Sequence, residues 1–103
     1  MDGNADDQLY RSLFDAVHSV NGAGNPHRAR IRKMASSWDI DLDIEVAGNL
    51  TVRQAHDIAE RVEKAVRKAI PYVYDIMVHV EPEGNGEHEE QYGLSAKDID
   101  GAK

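Results

Sequence analysis

The octet "DIDLDIEV", Asp39 to Val46, places an acid at every second position and interleaves Ile40, Leu42, Ile44 and Val46. A helix would scatter these residues around its circumference, whereas a strand sends successive side chains to opposite faces. The segment therefore predicts a strand with four aliphatic residues on one side and Asp39, Asp41, Asp43 and Glu45 on the other. Whatever surrounds it must cover the first face and find a use for the second.

The rest of the chain supplies that cover. Leu9, Leu13, Val17 and Val20, with Phe14 beside them, recur at helical spacing, and the turn formers of "NGAGNP" end that helix near Ser19 or Val20. "HRARIRKMA", starting near His27, then reads as a strand. A tight link at Ser36 and Ser37 joins it to the acidic strand, which pairs antiparallel with it and brings Arg28, Arg30, Arg32 and Lys33 beside the acids. Opposite charges on neighbouring strands attract, so charge pairing alone accounts for some of the carboxylates.

A second helix starts at Thr51, where "TVRQ" has the form of a capping box, and stops before Pro71. Its apolar stripe is Val52, Ala55, Ile58, Ala59, Val62, Val66, Ala69 and Ile70, with Arg53, Asp57, Glu60, Lys64 and Lys68 on the wet side. In "YDIMVHVEPEG", Tyr74, Ile76, Val78 and Val80 share one face of a third strand, and Asp75, Met77, His79 and Glu81 the other. The order helix, strand, strand, helix, strand predicts an α+β fold: a two-layer αββαβ sandwich with both helices on one face of a three-stranded sheet. Residues 1–5 read as a disordered N-terminus, residues 6–84 as one domain, and residues 85–103, which lack apolar periodicity, as a mobile acidic tail.

Composition narrows the function. The 19 acidic and 12 basic residues give a net charge of −7, which repels phosphate backbones, so nucleic acid is excluded as a partner and cations are favoured. There is no cysteine, so a transition-metal site must be built from His and carboxylate. No apolar run is long enough to cross a bilayer and no signal peptide opens the chain, which reads as a soluble cytosolic piece. A nucleophile with its base, a phosphate loop and a metalloprotease helix motif are all missing, so the chain is not read as an enzyme.

If the aliphatic face is covered by both helices, Asp41, Asp43, His79 and Glu81 project together from the bare face. His79 and Glu81 are two apart on one strand, roughly 7 Å by the strand rise, and can converge on one ion. Four residues before Glu60, His56 reads either as a helix-surface histidine with a carboxylate neighbour or as a ligand. His27, at the mouth of its strand, is equally open. His18 and His88 read as helix surface and tail.

The run "HRARIRKMASSWDIDLDIEVAGNLTVRQAHDIAERVEKAV…YDIMVHVEPEG" resembles the cytoplasmic C-terminal domain of the cation diffusion facilitator transporters. It shares with them a His-x-x-Arg-x-Arg strand (His27, Arg30, Arg32), an acidic second strand, a "QAH" helix start and a closing "HVEP" strand, over residues 8 to about 84. The resemblance implies a ferredoxin-like, metallochaperone-like homodimer on the cytoplasmic face of a membrane. Divalent cations bound between its copies would close the dimer and regulate efflux through an attached membrane domain.

Carried over by position, zinc-exporting members imply ligands at His27, Asp43, His56, His79 and Glu81. Asp43 stands where some of them have His, which shifts the donors toward oxygen. A magnetosome iron-transport branch implies Asp41 and His79 centrally, with His56 and Glu83 peripheral. Its characteristic tryptophan aligns with Asp39 rather than Trp38, so the chain is not assigned to that branch. The resulting expectation is a site centred on His79, with Asp41 or Asp43 and Glu81 or Glu83 as partners and His56 at a second position. Zinc is its first expected ion, with ferrous iron and manganese as alternatives. The competing reading is a freestanding ferredoxin-like interaction module whose acids serve solubility.

Overall fold

The computed structural model describes residues 6–84. Helix α1 (Asp7–His18) is followed by β1 (Gly24–Met34), β2 (Ser37–Val46), α2 (Val52–Ala69) and β3 (Val73–Pro82), the expected αββαβ order. The sheet runs β1-β2-β3, with β2 central, antiparallel to β1 and parallel to β3. A parallel neighbour needs a crossover, and α2 provides it.

Both helix starts are specified locally. The Asp6 carboxylate accepts from the Leu9 amide at 3.0 Å, and Thr51 and Gln54 form the full capping box, with bonds of 3.0 and 2.9 Å. Leu13 and Val17 of α1 and Ile58, Val62 and Val66 of α2 join Ile40, Leu42, Ile44 and Val46 of β2 in one core. Burying such side chains stabilises by about 1.5–3 kcal/mol each, which is what holds the helices to one face of the sheet. The Tyr10 hydroxyl also accepts from the buried Ile31 amide at 3.1 Å, pinning α1 to β1.

Four local expectations need correction. Val52, the first residue of α2, is 87% exposed, and Ala69 is exposed at the edge of a stripe whose Val66 and Ile70 are buried. Tyr74 has the parity of the core face but is 67% exposed at the open end of β3. The hairpin turn lies at Ala35 and Ser36, with Ala35 at φ 57°, and Ser37 already belongs to β2. Finally, β1 starts at Gly24 rather than near His27, and its pairing slips twice.

Those slips decide the site. Gly24 pairs with Glu45, His27 with Asp43 and Arg30 with Asp41, so β1 spends three residues where β2 spends two, on each side of His27. Each is a β-bulge, marked by a left-handed residue: Asn25 at φ 45° and Arg28 at φ 48°. An edge strand tolerates them, and it tolerates the buried Pro26, which has no amide to donate. Pro26 and Ala29 turn inward, and His27 and Arg28 together remain half-exposed beside the acids.

Candidate metal centre

The face away from the helices carries the acidic stripe, and its two ends differ. Near the hairpin the pairing is regular. Arg32 Nη2 donates to Asp39 Oδ2 at 2.9 Å and lies 3.9 Å from Asp41, while Arg30 Nε is 3.7 Å from Asp41. The hydrogen bond to Asp39, helped by the charges of Asp39 and Asp41 and opposed by desolvation, raises the pKa of Arg32 above its ordinary value. Lys33 stands apart from the acids, with its ammonium 5.2 Å above the Trp38 ring. Charge pairing accounts for Asp39 and Asp41.

At the other end, the bulges gather a different set. His27 Nδ1 lies 2.7 Å from the Asn25 carbonyl oxygen. A carbonyl only accepts, so Nδ1 carries a proton there and Nε2 is turned outward, where it can hold a proton or a metal ion. Nε2 lies 3.2 Å from Glu81 Oε1 and 3.8 Å from Asp43 Oδ2. The Asn25 side chain donates to Glu45 Oε2 at 2.8 Å, so one residue orients both His27 and Glu45. Arg28 donates through Nε to Asp43 Oδ2 at 2.7 Å, has Nη2 against the same oxygen, and reaches within 3.6 Å of Glu81 Oε2.

One ligand atom each from His27, Glu45 and Glu81 lies within 4.8 Å of the others, all three residues half-buried. Asp43 is 3% exposed beside them. Three carboxylates, Asp43, Glu45 and Glu81, face one guanidinium, so negative charge is in excess when the imidazole is neutral. Glu81 Oε1 is buried and has no hydrogen-bond partner among the described residues. A buried carboxylate oxygen this close to an imidazole nitrogen calls for a positive charge between them, supplied by a proton on Nε2 or by a bound cation in its place. The donors are one nitrogen and several oxygens, a set suited to zinc, iron or manganese, and three protein ligands leave further positions open.

The expected ligands fall into three groups. His27 and Glu81 enter the cluster, with Asp43 adjoining it in the grip of Arg28. His79 lies exposed on the same sheet face, in register with Asp43, and outside the three-residue cluster. His56 lies on the surface of α2, where its Nε2 is 3.3 Å from Glu60, and exposed Glu83 follows β3, its amide bonded to the Val46 carbonyl at 2.8 Å. Asp41 belongs to the arginine ladder. His88 lies outside the described residues, as do the N-terminus 1–5 and the tail 85–103.

Sequence reasoning placed Arg28 beside the acids, as observed, and missed Glu45 and Asn25. Glu45 was visible as the last acid of the stripe. Asn25 acts through a bulge that strict alternation cannot show, and only "NP" directly before His27 hinted at an irregular strand.

Comparison with known proteins gives a consistent picture. The family model for the cytoplasmic domain of cation efflux proteins matches residues 5–83. Metal tolerance protein 2 of Oryza sativa subsp. japonica is 32% identical over 80 residues, which are 78% of this chain and 21% of that protein. The cation-efflux pump FieF of Citrobacter koseri is 32% identical over 76 residues, 74% of this chain and 25% of the pump. The chain thus spans only about a fifth to a quarter of these relatives. Among solved structures, the metal-bound C-terminal domain of the CzcD transporter from Thermotoga maritima superposes with a TM-score of 0.72 at 35% identity, over 78% of this chain and 93% of that one. A MamM C-terminal domain gives a TM-score of 0.71 at 28% identity, over 74% and 95%. Copper, nickel and cadmium forms of MamM C-terminal domain variants are also similar.

Proposed function

The chain belongs to the cation diffusion facilitator family, as a cytoplasmic domain of its cation efflux proteins, and on that premise we propose that it senses divalent cations at the bulged end of its acidic stripe. The family is one of metal transporters rather than of enzymes, and the proposed chemistry is accordingly reversible coordination. The ion is a regulatory ligand here, held by His27 Nε2, Glu45 and Glu81. The observation that carries the reading is the His27 imidazole, oriented through Nδ1 by the Asn25 carbonyl so that Nε2 stands 3.2 Å from the buried Oε1 of Glu81. A hydrogen bond on the far nitrogen is how metal-binding imidazoles are held in the right tautomer.

The second part of the proposal concerns two copies. Three protein donors leave coordination incomplete, and a homodimer can supply the remainder. His79 and Met77 lie exposed on the same sheet face as the cluster, with Met77 54% exposed. We place His79 at the junction between copies, with His56 and Glu83 as outer donors. Facing carboxylates repel in the absence of metal, and a divalent cation removes that repulsion. This supplies the differential affinity that any shift between open and closed forms requires. In the full transporter, closure at the cytoplasmic face of the membrane would promote efflux.

Zinc is the ion that the imidazole favours, with ferrous iron and manganese as the oxygen-rich alternatives. Calorimetry with each ion, beside light scattering and small-angle scattering, tests both parts. Zinc should bind, and His27→Ala should weaken it by about a hundredfold or more, since loss of outer-shell support alone weakens metal sites by about 10–100-fold. The protein should scatter as a dimer and compact on metal addition. His79→Ala should keep the fold and lose the compaction. A flat zinc isotherm sinks the site, and a monomer at every metal concentration sinks the closure.

A further inference from the structure

The bulge that presents His27 also presents Arg28, and an arginine among prospective ligands requires a reason. Its backbone is left-handed at φ 48°, a conformation that a long side chain adopts at some cost and Asn or Gly adopts readily. What the conformation achieves is placement. The guanidinium lies on the acidic face beside His27, Nε donating to Asp43 Oδ2 at 2.7 Å and Nη2 bridging from Asp43 toward Glu81 Oε2 at 3.6 Å. Glu81 is therefore divided: Oε2 faces the arginine, while Oε1 faces His27 and has no hydrogen-bond partner among the described residues.

We propose that Arg28 is an internal counter-cation that keeps Asp43 out of the coordination shell and biases the centre against hard, oxygen-seeking ions. This rests on the reading of His27, Glu45 and Glu81 as ligands. An ion at Glu81 Oε1 shares its carboxylate with a guanidinium, and like charges a few ångströms apart repel. Zinc offsets that repulsion through its strong bond to imidazole. Manganese, which gains less from nitrogen and more from oxygen, meets the repulsion and is also denied the nearest additional carboxylate. Arg28 thus makes a site built mostly of acids more selective for nitrogen-binding ions than its acid content alone implies. It also supplies a resident cation when no metal is present, so the buried Asp43 is never uncompensated.

The test is calorimetry of the full chain with manganese chloride and with zinc chloride, on the parent, Arg28→Asn and Arg28→Lys. Asn tolerates the left-handed backbone and removes the charge; Lys keeps the charge and loses the fork. Arg28→Asn should bind manganese at least about tenfold tighter than the parent, equivalent to about 1.4 kcal/mol, and gain more for manganese than for zinc. Arg28→Lys should stay within about threefold of the parent for both ions. Without metal the Arg28→Asn protein should melt below the parent, and manganese should restore it. If it does not fold without metal, Arg28→Asn combined with Asp43→Asn removes both halves of the pair, and manganese should still bind more tightly than in the parent.

Manganese binding unchanged or weakened in the neutral variants overturns the proposal, as does a gain that favours zinc. The underlying reading fails on a different observation: a parent that binds no zinc. Binding by Arg28→Asn but not by the parent would uphold the counter-cation and overturn metal sensing by the unaltered domain. Binding by neither would overturn both.

Discussion

Asp39 and Asp43 lie four residues apart on one strand, with the same parity and the same alternating neighbours, yet they inhabit different chemistry. Asp39 faces Arg32 across a regular register, and the Arg32 side chain is 46% exposed. Asp43 faces a strand that has gained a residue on either side of His27, and its own side chain is 4% exposed. At the regular end Arg30 and Arg32 face Asp41 and Asp39 one to one, and the third acid, Asp75 on β3, is exposed to solvent. The bulged end adds His27 to Arg28 and meets Glu45 and Glu81 as well as Asp43. There the acids converge on an imidazole in a half-buried cluster instead of spreading into solvent, and that convergence is what makes the end a candidate metal centre. A period-two pattern specifies which face a side chain occupies; the partner strand's irregularities specify what that side chain meets.

The largest effect expected from this contrast is on stability. Asp43→Ala removes the main partner of Arg28 in a nearly closed site, and breaking a buried pair typically costs about 3–5 kcal/mol. Partial exposure of the guanidinium, 21% for the side chain, points to the lower end of that range. Urea denaturation checks it through a lower midpoint at an unchanged slope. A loss under about 1 kcal/mol, the range of an exposed pair, would mean that the two ends of the stripe are energetically alike.

A smaller effect isolates the bulge. Asn25→Gly retains the left-handed conformation, because glycine adopts positive φ freely, and deletes only the amide that holds Glu45. The backbone carbonyl that orients His27 remains. Zinc affinity should fall about tenfold, the smaller end of the range for an outer-shell hydrogen bond, while manganese should lose more because it relies on the carboxylate. Equal affinity in parent and variant would show that Glu45 is not a ligand.

The contrast also explains what could be read in advance. Helix starts were legible because capping is local: Thr51 and Gln54 satisfy each other's backbone within one turn. Strand faces were legible because parity is local, and His79 and Glu81 do lie on the open face with Asp41 and Asp43. Register is not local. The run "HRARIR" reads as simple alternation, and only its pairing with β2 shows that His27 and Arg28 share a face. The expectation therefore centred the site on His79, the histidine whose parity was certain, whereas the clustered imidazole is His27, whose position depends on two bulges. Val52 was misread for a related reason: periodicity gives the direction of a helical side chain, but not whether anything packs against the helix's first residue.

The smallest expected effect is at the regular end, and its sensitivity to salt should be as informative as its size. Asp39→Ala removes the hydrogen bond to Arg32 at 2.9 Å, a contact at the surface. The raised pKa of Arg32, caused first by that hydrogen bond, means that the pair favours the charged guanidinium. Its stabilisation is present below the ordinary arginine range and is lost only as pH rises through the higher folded value, so no change is expected between pH 5 and 9. At low salt the urea midpoint of Asp39→Ala should fall slightly. At about 1 M salt, where screening acts over about 3 Å, it should coincide with that of the parent. Asp43→Ala should keep most of its deficit under the same conditions, because a buried pair is screened by salt far less than an exposed one. If salt erases both deficits alike, burial does not distinguish the two ends; if it erases only the first, Asp39 is held by surface charge and Asp43 by a closed ion pair.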